Sequence, residues 1–226
     1  MAILHRRGSR RAAAIARPDP GAPFGVEVGG EKAALRRRMR ARLAAMPPTA
    51  VADRAGRAVA ERVTGGVRWR DARTVAVFAS LPGEIPTGPL IQAAWTSGRR
   101  VLLPRVIAEG ALSFHEHVKD APLESGTFGV AEPSATAAEA SLTEADLVFV
   151  PGLAFDGRGG RLGRGAGYYD RAIAEALAGN TPRRRAGESA TIGLAFALQI
   201  VDAVPMEPHD VPLDAVVTES ASFGDL

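Results

Sequence analysis

ADLVFVPGLAFDGRGGRLGRGAGYYDR, Ala145 to Arg171, holds the features that decide the fold. Leu147 to Val150 is a continuous apolar run ended by Pro151-Gly152, the pattern of a strand covered on both faces. From Tyr168 to Ala178 the chain reads as a helix. Between them Gly159, Gly160, Gly163, Gly165 and Gly167 alternate with Arg158, Arg161 and Arg164. Ligands of open α/β sheets settle beyond the carboxyl ends of strands, so this loop is where chemistry is expected.

Working outward, TVAVFAS (Thr74 to Ser80), RVLLPRV (Arg100 to Val106), ATIGLAF (Ala190 to Phe196) and DAVVTE (Asp214 to Glu219) are short runs of strand length. ALSFHEH, Ala111 to His117, alternates, which puts His115 and His117 together on a strand face expected to be exposed. A long irregular stretch runs through Pro122 and Pro133. Leu35, Met39 and Leu43 recur every four residues from Lys32 to the stop at Pro47-Pro48, and further helices fit Ala50 to Val63 and Leu90 to Ser97. Strands alternating with helices predict an α/β fold, a single layered domain with a largely parallel central sheet flanked by helices. Residues 1–30 are set apart by an arginine cluster and then by prolines and glycines, and read as a disordered N-terminal extension or a misassigned start. Residues 31–226 form the expected single domain.

The chain of 226 residues with 46% hydrophobic content can bury a real core. It has no cysteine, which excludes disulfides, thiolate metal sites and thiol nucleophiles. No apolar run approaches the roughly 20 residues that span a bilayer, so no membrane partner is expected. Net charge is +3 and almost all the positive charge is arginine. No aromatic-interleaved basic stripe accompanies it, so no nucleic-acid partner is expected either.

The glycines let backbone approach an anion closely, and the arginines supply forked donors to phosphate oxygens. The helix beginning at Tyr168 would add the positive end of its dipole. The alternation at Gly163, Gly165 and Gly167 fits neither GxGxxG nor the Walker pattern. On loop composition alone, a flexible glycine loop made soluble by arginines remains open.

PGLAFDGRGGRLGRGAGYYDR, together with KAALR (Lys32 to Arg36), FASLPGEIPT (Phe78 to Thr87), FGVAEP (Phe128 to Pro133) and HDVPLDAVVTE (His209 to Glu219), resembles the 5-formyltetrahydrofolate cyclo-ligase family over about residues 32–220. The resemblance implies a layout like the sugar-phosphate isomerase and CoA-transferase sheets. It implies ATP-dependent closure of 5-formyltetrahydrofolate to 5,10-methenyltetrahydrofolate, with release of ADP and phosphate. In the family's scheme the formyl oxygen is phosphorylated, N10 attacks the formyl carbon, and phosphate leaves. No covalent protein nucleophile is needed.

By the same resemblance ATP would be held by Lys32, Arg36, Arg161, Gly163, Arg164, Gly165, Gly167 and Tyr168, with Lys32, Arg161 and Arg164 acting in catalysis. Folate would meet Ala79, Glu84, Phe128, Arg164 and Tyr168, and Mg²⁺ would take Asp170 and Asp210. Glu84 would accept from the pterin's amino and ring N–H groups. Without the resemblance Lys32 and Arg36 read as a solvated helix face, Asp170 as a first-turn acid and Asp210 as a turn residue. His209 borders the segment without a role. Two family variations fall here: Ala166 stands where some relatives carry lysine, and Phe128 where some carry tryptophan. The expected protein is a cytoplasmic monomer acting on folate, polyglutamylated forms included. The alternatives are a folate- or nucleotide-binding module of the same fold without turnover, and a sugar-phosphate isomerase that would not need ATP.

Overall fold

The computed structural model describes residues 27–46, 49–107, 111–178 and 189–226. Its helices are α1 (Glu27–Ala44), α2 (Thr49–Thr64), α3 (Val67–Asp71), α4 (Gly88–Thr96) and α5 (Tyr168–Ala178). Its first six strands are β1 (Thr74–Ala76), β2 (Arg100–Val106), β3 (Leu112–Glu116), β4 (Glu124–Ser125), β5 (Ala131–Glu132) and β6 (Glu139–Ala140). The remaining six are β7 (Leu147–Val150), β8 (Ala154–Phe155), β9 (Arg161–Leu162), β10 (Ala190–Leu194), β11 (Ala215–Val217) and β12 (Ser222–Gly224). Helix α1 begins five residues ahead of Lys32; the rest of the expected extension, residues 1–26, lies outside the described residues.

One eight-stranded sheet runs in the order β12-β11-β10-β7-β1-β2-β3-β6. From β11 to β2 the neighbours are parallel, while β12, β3 and β6 join antiparallel at the two edges. This is the layered α/β architecture that the alternating elements predict. The apolar run of β7 shows why helices lie on both faces. Leu147 and Phe149 pack with Val59 and Val63 of α2, Trp69 of α3 and Leu90 of α4. Val148 and Val150, of opposite parity, pack on the other face with Ile173 of α5. Burying each such side chain contributes about 1.5–3 kcal/mol.

Helix α1 packs mainly on the glycine-rich segment. Leu35 and Met39 cover Leu153, Ala154 and Leu162 of a small β8–β9 hairpin, together with Val204. The four-residue spacing in α1 is therefore a stripe fitted to the glycine-rich segment through Leu35 and Met39, while Leu43 at its end also reaches the core of the main sheet.

His115 and His117 share one face of β3 as the alternation requires, but that face is covered: both are buried. The expectation of an exposed face fails because Trp95 of α4 tilts against the His117 ring at 5.2 Å and donates from Nε1 to the His117 carbonyl. On His115, Nδ1–H donates to the Ala137 carbonyl at 3.0 Å, leaving Nε2 to accept from the Ser113 hydroxyl at 2.9 Å. Burial alone lowers the pKa of His117, since its charged form would lose water with no compensating acid.

Candidate active site

The five parallel strands wind outward from β1 in opposite directions, to β2 on one side and to β7, β10 and β11 on the other. That arrangement leaves a crevice beyond the carboxyl ends of β1 and β7, the usual ligand position in open α/β sheets. After β1 the chain leaves the ladder through Phe78 and Ala79; after β7 it leaves through Pro151 and Gly152. These segments border a cavity of about 510 Å³. Ala79, Glu84, Arg161, Gly163, Arg164, Gly167, Tyr168 and Asp170 all line it.

The glycine-rich segment has two parts. In the first, β8 and β9 pair antiparallel, with the turn organised by the buried Asp156. Asp156 Oδ1 accepts from the backbone N–H of Arg158 and Gly160 at 2.8 and 2.9 Å, and Oδ2 accepts from Val204 N–H at 2.8 Å. Gly159 sits at φ 84° with its backbone against Leu213; a Cβ there would come within 2.2 Å of the Leu213 carbonyl. Glycine is required by both conformation and space. Arg161 thus emerges from a strand rather than a flexible loop.

Arg161 is buried. Its Nη1 donates to the Pro151 carbonyl at 3.0 Å and its Nη2 to Asp170 Oδ1 at 2.6 Å, which ties the end of β7 to the first turn of α5. Its Nε is buried without a partner among the described residues. Arg164, in the second part, is different: its side chain is 44% exposed, and Nε and Nη2 reach Glu84 Oε1 at 3.0 and 2.9 Å. Glu84 Oε2 accepts from Leu81 N–H at 3.0 Å, so its own loop holds the acid in place.

The loop then turns at Gly167, φ 69°, into α5. Tyr168 carries the Arg171 guanidinium 5.6 Å from its ring centre. Tyr169 lines the same cavity while packing against both faces of the sheet, so it is not confined to the core. Enclosure, reinforced by the Glu84 charge, pushes its phenol well above the ordinary range; nearby Arg161 opposes this.

Lys32, Arg36 and Asp210 are not cavity-lining; they meet the glycine loop from the side of α1. Arg36 Nε donates to the Gly163 carbonyl at 3.1 Å, and Arg40 to the Arg164 carbonyl at 3.1 Å. Gly165 faces Arg36, whose Nε would lie 3.8 Å from a Cβ at that position. One turn before Arg36, buried Lys32 reaches Glu207 at 2.6 Å and Asp210 at 2.5 Å. The Lys32 ammonium holds the Glu207 carboxyl below its ordinary value. Glu207, His209 and Asp210 each offer a ligand atom within 4.8 Å of the others. The two acids expected to share Mg²⁺ therefore have separate partners, Asp170 with Arg161 and Asp210 with Lys32. Phe128 lies in the short turn Thr127–Gly129, and its side chain is outside the described residues.

Sequence reasoning missed three participants. Glu207 lies just before the HDVP segment, and only its return to Lys32 reveals it. Asp156 is quoted within PGLAFD but carries no sign of its turn. Glu132 of FGVAEP is a buried acid in the cavity wall, and the only signal for it was its place in that segment.

Residues 28–219 match the model of the 5-formyltetrahydrofolate cyclo-ligase family. A 5-formyltetrahydrofolate cyclo-ligase of Haemophilus influenzae is 33% identical over 180 residues, 78% of this chain and 90% of the relative. One of Escherichia coli is 36% identical over 152 residues, 66% of this chain and 79% of the relative. The NMR structure of the 5,10-methenyltetrahydrofolate synthetase of Aquifex aeolicus superposes with a TM-score of 0.69 at 27% identity, covering 84% of this chain and 91% of that one. A Mycoplasma pneumoniae 5,10-methenyltetrahydrofolate synthetase, at 20% identity, shares the fold with a TM-score of 0.64 over 84% of this chain and 99% of that one. With its glycine-rich hairpin, its switch-point cavity and these matches, the chain belongs to the 5-formyltetrahydrofolate cyclo-ligase family.

Proposed function

We propose that this chain uses ATP to close 5-formyltetrahydrofolate into 5,10-methenyltetrahydrofolate, with release of ADP and phosphate. The observation that carries the reading is the junction of cavity and glycine loop, where Arg164 is held by Glu84 at 2.9 Å. A formamide oxygen leaves poorly as hydroxide. Once phosphorylated it departs as phosphate, after N10 has attacked the formyl carbon and lost its proton. Such chemistry asks the protein for alignment and for positive charge where negative charge moves.

The residues divide that work. Ala79, Glu84, Phe128 and Tyr168 receive the folate, and Arg164, held by Glu84, stabilises charge on the phosphoryl group in flight. Arg161 keeps Asp170 and the end of β7 in register from below. Lys32 and Arg36 meet ATP phosphates on the α1 side, with the backbone of Gly163, Gly165 and Gly167. Oxygen donors suit Mg²⁺: Asp210, with Glu207 beside it, offers a hard anionic pair whose charge Lys32 now balances, and Asp170 supplies the second expected carboxylate. The ion would neutralise phosphate charge. We further infer a cytoplasmic monomer that accepts polyglutamylated folate. Among the described residues no helix is long and apolar enough to cross a membrane.

Purified protein mixed with ATP, Mg²⁺ and 5-formyltetrahydrofolate should raise the methenyl absorbance in the near ultraviolet. Absence of an ATP-dependent rise across pH would overturn the reading, and ligand binding without ADP release would establish a binding module instead.

A further inference from the structure

Arg171 is the fourth residue of α5, at the end of its first turn. A cation there faces the positive end of the helix dipole, so helix stability alone favours an acid at this end, such as the neighbouring Asp170. The position of Arg171 therefore needs another account. Helical side chains lean toward the N-terminus, and this one reaches back over the loop that enters the helix. Its Nη2 donates to the Ala166 carbonyl at 2.9 Å, and its guanidinium lies 5.6 Å from the Tyr168 ring centre, within cation–π range. Gly167, at φ 69°, leaves the space for it: a Cβ there would come within 2.9 Å of Arg171 Nη1. The turn and the guanidinium both call for glycine.

The Ala166 carbonyl is the third in this loop to be held by an arginine, after that of Gly163 by Arg36 and that of Arg164 by Arg40. The C=O and N–H of a trans peptide point in opposite directions, and the described peptide bonds are all trans. Fixing these carbonyls therefore turns the N–H groups of Arg164, Gly165 and Gly167 away from the arginine that holds each peptide. Among the described residues none of these three N–H groups has a hydrogen-bond partner. They are donors held ready in the loop to which the cyclo-ligase reading brings ATP.

We propose that Arg171 is a positioning residue for ATP. Through the Ala166 carbonyl it fixes the Ala166–Gly167 peptide so that the Gly167 N–H stays turned to the phosphates, which the guanidinium itself does not meet. The assignment rests on the cyclo-ligase reading and adds to it the residue that locks the α5 end of the loop, complementing the grip of α1 on Gly163 and Arg164.

The test titrates ADP into the purified protein and follows turnover by the absorbance assay. Arg171→Ala should weaken ADP binding and raise the KM for ATP by roughly tenfold, the scale of one charge-assisted hydrogen bond. Turnover number and the KM for 5-formyltetrahydrofolate should stay within about twofold. Arg171→Met keeps an apolar stem over Tyr168 but has no N–H to donate, so it should fall as far as the alanine variant. An ADP affinity near that of the wild type in the methionine variant overturns the proposal. Because the effect runs through a carbonyl, the salt dependence of ADP binding should be parallel in wild type and variants. A shallower dependence in the variants would put the guanidinium on phosphate itself and overturn the positioning role. Equal losses for ATP and folate would mark a merely structural role and overturn it as well. If the alanine variant does not fold, the methionine variant is read alone. A wild type that binds no ADP sinks the cyclo-ligase reading itself, whereas failure confined to the variants sinks only the assignment of Arg171.

Discussion

Arg161 and Arg164 stand three residues apart in one glycine-rich segment, and their surroundings give them different work. The Arg161 side chain is 4% exposed and bound on two sides, whereas that of Arg164 is 44% exposed with a single acidic partner. Only the Arg164 end of its pair is exposed, Glu84 being 8% exposed and held also by Leu81 N–H, so Arg164→Ala should cost less urea stability than the loss of Arg161. If Arg164 meets the phosphoryl group, turnover of the same variant should fall about 10²–10³-fold. Arg161→Ala should instead cost about 3 kcal/mol of stability, since it strands Asp170 and the Pro151 carbonyl at a buried junction. Equal loss of stability in the two variants would show that the exposure difference has no energetic meaning. His117 supplies a pH prediction at the same scale. Its folded pKa is lowered by burial, so below its ordinary value the unfolded chain binds a proton that the folded chain refuses. The stability is fully present above that ordinary value and is lost as pH falls through the lowered folded one. Between about pH 7.5 and 5.5 the thermal midpoint should drop further in the wild type than in His117→Phe, which cannot titrate. Parallel curves would remove His117 from the acid response.

Among the elements, those defined by apolar runs follow from the sequence most directly. Strands β2 and β7 and helices α2 and α5 fall within a residue of their expected limits because their own side chains build the layers. The β8–β9 hairpin does not follow in this way. Its strands are two residues each, too short for any periodicity, and it exists because Asp156 gathers three N–H groups and α1 covers its apolar side. Likewise β3 has the expected alternation, but whether His117 at its end meets water depends on Trp95, 22 residues earlier. The hairpin's dependence on tertiary fit makes Gly159 its most sensitive position. Gly159→Ala combines positive φ with a Cβ only 2.2 Å from the Leu213 carbonyl, so it should lower stability by at least about 2 kcal/mol. A urea midpoint that shifts at unchanged slope would match this expectation; an unshifted midpoint would mean that the turn relaxes freely.

Across the whole molecule, the site exists because the sheet's winding order brings distant segments to one crevice. Glu84 follows β1, the glycine loop follows β7, and α1 arrives from the other side of the hairpin; the bridging contacts span 80 residues from Arg164 to Glu84 and 127 from Arg36 to Gly163. Spacing within the sequence cannot disclose such meetings. Motif resemblance names Glu84, Arg164 and Arg36 but not that they hold one loop, and it passes over Glu207, whose relevance appears only through Lys32. A loop gripped from two sides should behave as one mechanical unit: Arg36 fixes the carbonyl of Gly163 and Arg40 that of Arg164, while the Arg164 side chain reaches across to Glu84. Removing either grip should misplace the same peptide units, so the second removal has less left to disturb. In a double-mutant cycle, Arg36→Ala and Arg164→Ala should each lower kcat/KM, and the double variant should fall short of their sum by at least about 0.5 kcal/mol. A strictly additive cycle would instead mean that α1 and the cavity act on ATP and folate independently, with the glycine loop merely passing between them.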